Sequence, residues 1–391
     1  METGQIRREE DGTSAVSWTT ESLRDWIFAR PQELDGFRVC AEDDLGAHVQ
    51  RGTSLLAYLH NAGINQQGWP ESSGGSGGSA VDRAVLYDEL TRAGLVLPEP
   101  VAALEVLGPA LVRFAPQLAS RHLPRLLSGE EIWCQGFSEP EAGSDLASVR
   151  TTATRRGDSW VLQGQKVWTS FGHLAHWCAV LARTGSRESR HRGLTLFWVD
   201  LSSPGVTVRP LQALTGDADF SEVFLDDVAV ASDHIIGDIG GGWSVAMYLL
   251  QYERGMWAWQ RQAILHQMLQ IRVLGRELSA AQLAELGNAY ALLASLRLKC
   301  AATIDRLARE EPLGPEVSVD KILLSQTERA VHDLCRSVDQ AGFLLSDGAD
   351  AHHLRSDWFY SRAASVYGGA VEVQKNILAT RILGLPREAA S

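Results

Sequence analysis

Two stretches of this chain carry residue types that can do chemistry at a useful spacing. The first, Trp133-Cys134-Gln135-Gly136-Phe137-Ser138-Glu139-Pro140-Glu141-Ala142-Gly143-Ser144-Asp145, mixes small, hydroxyl and glycine residues, with Pro140 and Gly143 fixing the backbone. A loop of this kind can lay N–H groups and hydroxyls against a flat polar ring. The second, Gly164-Gln165-Lys166-Val167-Trp168-Thr169-Ser170, reads as a strand bearing one large aromatic and two hydroxyls. Other motifs fail their structural tests. Gly74-Gly75-Ser76-Gly77-Gly78 formally satisfies GxSxG, but Gln67-Gly68-Trp69-Pro70-Glu71 before it is not the strand a nucleophile elbow needs. The same missing strand argues against a dinucleotide loop there, leaving a flexible loop that caps the next helix. His352-His353 has no partners at metal-ligand spacing and reads as exposed polar sequence.

The elements that must position these residues change texture twice. From about Thr20 to Gly129 the chain reads helical, with Asp82 to Leu95 and Val101 to Phe114 as apolar-rich segments. Asp82 is the expected N-cap of the first and Gly94 its stop. From about Ile132 to Ile236 short β-branched and aromatic runs recur between turn residues: Ser159–Leu162, Gln165–Ser170, His176–Ala182, Leu194–Leu201, Gly205–Leu211 and Glu222–Val230. Gly164 suggests a tight hairpin between the first two. No helical pattern lies between the runs, so a small antiparallel barrel or sandwich is expected. After Gly240-Gly241-Gly242-Trp243 the helical period returns. Leu286, Tyr290, Leu293, Leu296, Cys300, Ile304 and Leu307 mark one face of a long helix. Glu310 to Pro315 breaks it, Ser318 to about Val338 resumes, and a last helix is expected over Val371 to Leu383. The division is an α+β chain with an N-terminal helical domain (20–130), a central β domain (131–237) and a C-terminal helical bundle (238–387).

Composition narrows the classes. Of 391 residues 45% are hydrophobic and 21% charged, which excludes disorder and low complexity. The formal net charge of −12 makes nucleic acid a poor partner. No apolar run approaches the ~18 residues of a membrane span, and the polar, acidic first residues read as neither signal nor transit peptide. Five scattered cysteines without CxxC spacing (Cys40, Cys134, Cys178, Cys300, Cys335) point to a reducing, cytoplasmic compartment.

With these motifs in place, the chain resembles the acyl-CoA dehydrogenase family over about 50–387. Ser138-Glu139-Pro140 followed by Ala142-Gly143-Ser144-Asp145 is similar to its (T/S)EPxAGSD signature, and Gly164 to Ser170 to its GxKxW strand. Leu249-Leu250-Gln251-Tyr252-Glu253-Arg254 resembles its arginine-bearing helix. Tyr367-Gly368-Gly369-Ala370-Val371-Glu372-Val373-Gln374, with Leu383-Gly384-Leu385-Pro386-Arg387, resembles its C-terminal YxGTxEIQ…LG segment. The resemblance implies an FAD enzyme that dehydrogenates an acyl thioester at its α,β carbons. A carboxylate would take the α-proton while hydrogen bonds polarise the thioester carbonyl, and the β-hydrogen would leave as hydride to the flavin. Excluding water would raise the carboxylate's affinity for the proton.

The same resemblance assigns roles. Ser138 and Ser170 would hydrogen-bond the flavin ring, with Thr169 beside them, and Trp168 would pack on it. Gln135, Gly136 and Phe137 would line its edge through backbone groups. Ser144 and Arg254 would meet the thioester substrate. Most relatives carry the catalytic Glu directly after the motif's Tyr, where this chain has Gly368. A known alternative lies immediately before the Arg, where Glu253 stands, so Glu253 is the expected base and Glu372 the weaker candidate. The RxxF and QxxGG elements that reach a neighbouring subunit's FAD are not matched cleanly by Ile271-Arg272-Val273-Leu274 and Ser337-Val338-Asp339-Gln340-Ala341-Gly342, and Ala370 replaces the motif's Thr. Either a second, related polypeptide supplies those contacts in a heteromer, or this chain holds the ADP arm with other groups, such as Arg272. The partners implied are an acyl thioester on CoA or an acyl carrier protein, an electron acceptor such as an electron-transfer flavoprotein, and further subunits in a homo- or hetero-oligomer. The alternatives are a catalytically weak partner subunit of a heteromeric dehydrogenase and a flavin-dependent oxidase on the same fold.

Overall fold

A computed structural model of the chain describes residues 18–386 apart from 41–42 and 98, with backbone only at 99–101. The extreme N-terminal residues, on which the leader expectation rested, and Arg387 lie outside the described residues. The chain runs helices, strands, helices. The first group is α1 (Thr20–Phe28), α2 (Pro31–Leu34), α3 (Leu45–Asn61), α4 (Ala80–Arg92), α5 (Glu99–Phe114) and α6 (Pro116–Leu127). Ser79, not Asp82, caps α4. Its hydroxyl accepts from the Val81 N–H, while Asp82, at the third helical position, reaches back to the Ser79 N–H at 2.7 Å, a capping box. The left-handed Gly94 follows the end of α4 as expected. The glycine-rich loop before α4 is tied down rather than flexible. Gly68 N–H donates to Gly77 O at 2.6 Å, Gly77 N–H to Trp69 O at 2.9 Å and Ser76 N–H to Gln66 O at 3.0 Å.

The strands are β1 (Trp133–Gly136), β2 (Thr152–Arg156), β3 (Ser159–Ser170), β4 (Trp177–Arg183), β5 (Leu194–Asp200), β6 (Val206–Leu211), β7 (Phe220–Ala231) and β8 (Ile235–Ile236). They form one mixed sheet in the order β6-β7-β3-β2-β4-β5-β8, with β1 beside β4. The expectation of an all-antiparallel unit fails at two places, because β1 and β2 both pair with β4 in parallel. Nor does Gly164 make a hairpin. It sits inside the continuous β3, next to a register shift against β7, and a Cβ there would come within 2.7 Å of the Thr151 Cα. Close backbone approach, not a turn, requires this glycine. The actual hairpin turns at Gly157-Asp158, between β2 and β3.

The sheet folds over on itself as a sandwich. Leu162 of β3 and Val223 and Leu225 of β7 share a core with Val180 of β4 and Phe197 of β5, and Trp160 meets Phe197 with ring centroids 5.8 Å apart. The alternate residues Ala179, Leu181, Leu196 and Trp198 point the other way, into the core of the N-terminal helices and α7 (Gly242–Tyr252). Period-two alternation with both faces buried thus glues the helical layer to the strands. After α7 come α8 (Ala258–Arg272), α9 (Ala280–Ala308), α10 (Ser318–Val338), α11 (Gln340–Leu345), α12 (Ala349–Ala363) and α13 (Val371–Arg381). On α9 the expected buried face holds from Leu293 to Leu307, but Tyr290 is 59% exposed and Ala289 takes its place inside. Among the described residues no helix is long and apolar enough to cross a membrane.

Candidate active site

The two sequence motifs meet through a buried ion pair. Lys166, wholly buried on β3, donates to Glu139 Oε1 at 2.7 Å and to the Phe137 carbonyl at 3.2 Å. Glu139 also accepts from the backbone N–H groups of Arg150 and Thr151, at 2.6 and 2.9 Å. Burial works to raise the Glu139 carboxyl, but Lys166 and these donors outweigh it and hold it below the usual carboxylate range. Val167 N–H donates to Ser138 O at 2.9 Å, closing the junction. Gly136 completes it, since a Cβ there would meet Cys178 Sγ at 2.9 Å. Gln135 is half-buried on β1 and Phe137 is buried.

This junction forces the strand end outward. Between Lys166 and Thr169 the pairing with β7 shifts register, and Trp168 takes a left-handed backbone with φ 59°. A bulky residue there is strained, and such strain is held where a side chain must point a particular way. The Trp168 indole is 61% exposed and meets Phe220 edge-on at 5.8 Å. Ser170 is exposed two residues on, opposite Phe220 across the β3–β7 pair. Thr169 points the other way, fully buried, and its hydroxyl has no hydrogen-bond partner among the described residues. It stands behind the surface that Trp168 and Ser170 present. An exposed indole with an exposed and a half-buried serine in the adjoining segments are the kinds of group a flat polar ring can use, so the residues present suit FAD.

A row of aromatic rings joins this strand end to the C-terminal helices. Phe220 stacks on Tyr360 at 6.2 Å with an interplanar angle of 2°, Tyr360 meets Tyr367 at 5.8 Å, and Tyr367 meets Trp257 edge-on at 5.3 Å. Trp257 closes a π-helical turn, Glu253–Trp257, wedged between α7 and α8. A π-turn inserts one residue and re-aims the side chains around it, a device common at functional sites. Gly255 allows the turn to pack, since even a Cβ there would meet Thr303 Cγ2 at 3.0 Å.

Glu253 opens that turn, partly accessible, and its Oε1 lies 2.5 Å from the point where a Cβ on Gly368 would stand. Gly368 is left-handed, with φ 61°, so both its backbone and the space beside it suit glycine. Burial raises the Glu253 carboxyl above its ordinary value, while Lys321 and Arg254 pull the other way. Among the described residues, no hydrogen bond or ion pair within 4 Å engages the carboxylate. Arg254 is partly buried, its Nε has no hydrogen-bond partner among the described residues, and its guanidinium feels both Glu253 and Asp320. Glu372 is exposed in the first turn of α13.

Other expected residues fall outside this cluster. Ser144 is exposed on the loop after Pro140. That loop is fastened by Arg183, which donates to the carbonyls of Val149, Ala147, Ser186 and Arg190 at 2.8–3.2 Å. Arg272 donates to Asp350 of its own chain at 2.9 Å. Arg183, Lys321 and Tyr367 were not singled out as site residues from the sequence. Lys321 had a legible signal, a lysine sharing the inner face of α10 with Leu324 and Val331.

The comparisons with known proteins agree along the chain. Family models for the N-terminal, middle and C-terminal domains of acyl-CoA dehydrogenases match residues 39–130, 134–228 and 240–383. Acyl-CoA dehydrogenase IpdE1 of Mycobacterium tuberculosis is 43% identical over 340 residues, covering 85% of this chain and 87% of that protein. The IpdE1 of Mycolicibacterium smegmatis is 38% identical with the same coverage. Among solved structures, the "Tcur3481-Tcur3483 steroid ACAD" superposes with a TM-score of 0.79 at 26% identity, over 94% of this chain and 97% of that one. The ChsE4-ChsE5 complex of Mycobacterium tuberculosis gives 0.77 at 25% identity, over 95% and 99%. The general partnership of this class, a thioester substrate, an electron acceptor and further subunits, comes with these matches. The chain belongs to the acyl-CoA dehydrogenase family, and its chemistry is the FAD-dependent dehydrogenation of an acyl thioester.

Proposed function

We propose that Glu253 is the base of this dehydrogenase, taking the α-proton of the acyl thioester from the helix side of the site. The observation that carries this is the Glu253 carboxylate filling the space beside Gly368. A glutamate after Tyr367, the family's commoner arrangement, would collide with it. The unengaged oxygens support the role, because a base must keep a lone pair free for the proton it removes. Arg254, beside it, is the proposed contact for the substrate, with Ser144 on the loop after Pro140.

FAD, when bound, supplies the hydride acceptor. We assign its ring to Trp168, Ser138 and Ser170, with backbone groups of Gln135, Gly136 and Phe137 along one edge. Thr169 then supports the strand from behind. The cytoplasmic assignment made from the cysteines stays part of this proposal.

For assembly we favour an oligomer in which a second subunit completes the ADP half of the site. Ile271 and Leu274 on and after α8, and Leu344 and Leu345 at the end of α11, are large apolar side chains 62–83% exposed around the altered RxxF and QxxGG segments. Such a patch on a water-soluble surface marks an interaction site. The two-component names of the solved relatives make a related second polypeptide the first partner to test. Arg272, held by Asp350, is the group on this chain closest to the role of ADP-arm ligand.

Anaerobic bleaching of the bound flavin by a panel of acyl thioesters tests the activity. Polycyclic acyl-CoA thioesters go first, because one solved relative is named as a steroid enzyme. Anaerobic bleaching by one class, with no oxygen consumption when the same thioester is added in air, supports the dehydrogenase. Oxygen uptake without any acceptor would move the assignment to an oxidase.

A further inference from the structure

Two of the buried carboxylates around Glu253 are paired, and the groups left over are informative. Asp320 on α10 is held by Lys299 of α9 at 2.8 Å and by the Thr303 hydroxyl at 2.6 Å. Glu328 on α10 takes Arg261 of α8 at 2.7 and 3.0 Å, with His332 one turn on. Arg254, on the π-turn itself, feels the charges of Glu253 and Asp320, but among the described residues it has no carboxylate within 4 Å. The phenols of Tyr360 and Tyr367 complete the surroundings, from α12 and from the turn after it. Among the described residues, Lys321 is thus a fully buried cation, and Arg254 a partly buried one, with no carboxylate within 4 Å, and Glu253 is a carboxylate with no cation within 4 Å.

These two face the same point. Lys321 is 2% exposed, and its ammonium donates to the Ala364 carbonyl at 2.9 Å. It sits over the Tyr367 ring at 4.1 Å from the centroid. It is also 3.5 Å from the position a Cβ on Gly368 would take, the position that Glu253 Oε1 approaches to 2.5 Å. Ala364 caps α12 and begins the turn that ends in Tyr367-Gly368. One ammonium therefore fastens the Gly368 turn at both of its ends and lies beside the carboxylate without bonding it. A direct salt bridge would occupy the oxygens and quench them as a base. An ammonium one step further off favours the charged carboxylate by Coulomb attraction alone.

We propose that Lys321 is a positioning residue for Glu253, tethering the Ala364–Gly368 turn and supplying the positive charge that keeps the carboxylate ionised and free. The proposal rests on Glu253 being the base, and the experiment separates the two. Holoenzyme is mixed in D₂O with 3,3-dimethylbutyryl-CoA, which has α-hydrogens but none on the β-carbon, and α-exchange is followed by NMR across pH. This reads proton removal without any redox step. Glu253→Gln should abolish exchange at every pH, and persistence of exchange would overturn the base itself. Lys321→Met and Lys321→Gln should move the ascending limb of the exchange profile upward by about one pH unit, while Lys321→Arg, which keeps the charge, should leave it in place. If Lys321 only supports the fold, the neutral variants will lower exchange at all pH values without moving the limb, and that result overturns the proposal. Should Lys321→Met fail to fold, Lys321→Gln against Lys321→Arg carries the same comparison.

Discussion

Glu253 and Gly368 occupy one space: the carboxylate oxygen of the first lies 2.5 Å from where the second would carry a Cβ. A chain with a glutamate at 368 would have to give up the Glu253 conformation seen here. Glycine at 368 and glutamate at 253 are thus two halves of one arrangement.

The most direct consequence concerns Glu253→Gln. The amide keeps the shape of the side chain but cannot accept the proton, so turnover should fall by about 10²–10⁴-fold. FAD content and thermal midpoint should match the parent, since no hydrogen bond to Glu253 is lost among the described residues. Steady-state assays beside a flavin absorbance ratio check this, and near-normal turnover would move the role to Glu372 or elsewhere.

Gly368→Ala separates strain from chemistry. The methyl would sit at 2.5 Å from Glu253 Oε1, and because that oxygen ends a flexible side chain the carboxylate moves aside. The left-handed backbone at φ 61° adds about 1–2 kcal/mol of destabilisation. Stability should drop modestly while turnover drops by about a hundredfold, as expected for a reacting group displaced by roughly an ångström. A variant that loses stability and keeps full turnover would show that the carboxylate's position beside Gly368 is immaterial.

How much of this was legible in the sequence follows from the range of the forces involved. Local periodicity marked the helices and strands, because side chains on one element are read by spacing alone. The parallel pairing of β1 and β2 with β4 joins segments tens of residues apart, and no local pattern encodes it. Gly164 looked like a turn because glycine serves turns and close backbone approach alike, and only Thr151 packed against it tells them apart. The family motifs marked Ser138, Trp168 and Glu253 as candidates, but the opposed directions of Trp168 and Thr169 depend on a bulge set by β7. Lys321 and Glu328, seven residues apart on a helix, do share a face with Leu324 and Val331. Two charges on an apolar stripe were the available clue that this face points into a polar site.

Trp168→Ala should release the flavin without unfolding the protein. The indole is mostly exposed and strained at φ 59°, so its removal costs the apoprotein little. The ring it would support in the holoenzyme loses one face. Thermal unfolding of the apoprotein should be unchanged within about 1 kcal/mol, with flavin retention after gel filtration sharply reduced. Full retention with an unshifted spectrum would make Trp168 a surface residue only.

Lys166→Met tests the junction behind the flavin edge. It strands Glu139 as a buried charge, which costs about 3–5 kcal/mol when one partner of a buried pair is removed. The pair also predicts a pH dependence. Glu139 is held below its unfolded value, so its contribution is complete above that value, ~4.3, and is lost as pH falls through the lower folded value. Urea midpoints measured from pH 7 down to 3 should show an acid loss in the parent that Glu139→Gln flattens. Equal acid slopes in both would assign the loss to other carboxylates.

The last expectation concerns assembly, where Arg272 sets the alternatives. Its guanidinium is bound to Asp350 on the same chain, so reaching a phosphate on a neighbour's cofactor requires giving up that pair. Asp350→Asn should therefore free Arg272 and tighten FAD in a homo-oligomer, but leave affinity unchanged if a second polypeptide supplies the ADP contacts. Native mass with flavin stoichiometry, on the chain alone and with a related partner, distinguishes the two. The exposed Leu274 and Leu345 give the control: replacing both with Asp should lower the native mass, because burying two new carboxylates in an apolar interface is strongly unfavourable. A monodisperse monomer with one FAD per chain would overturn the shared site, for then every contact to the cofactor must come from a single chain.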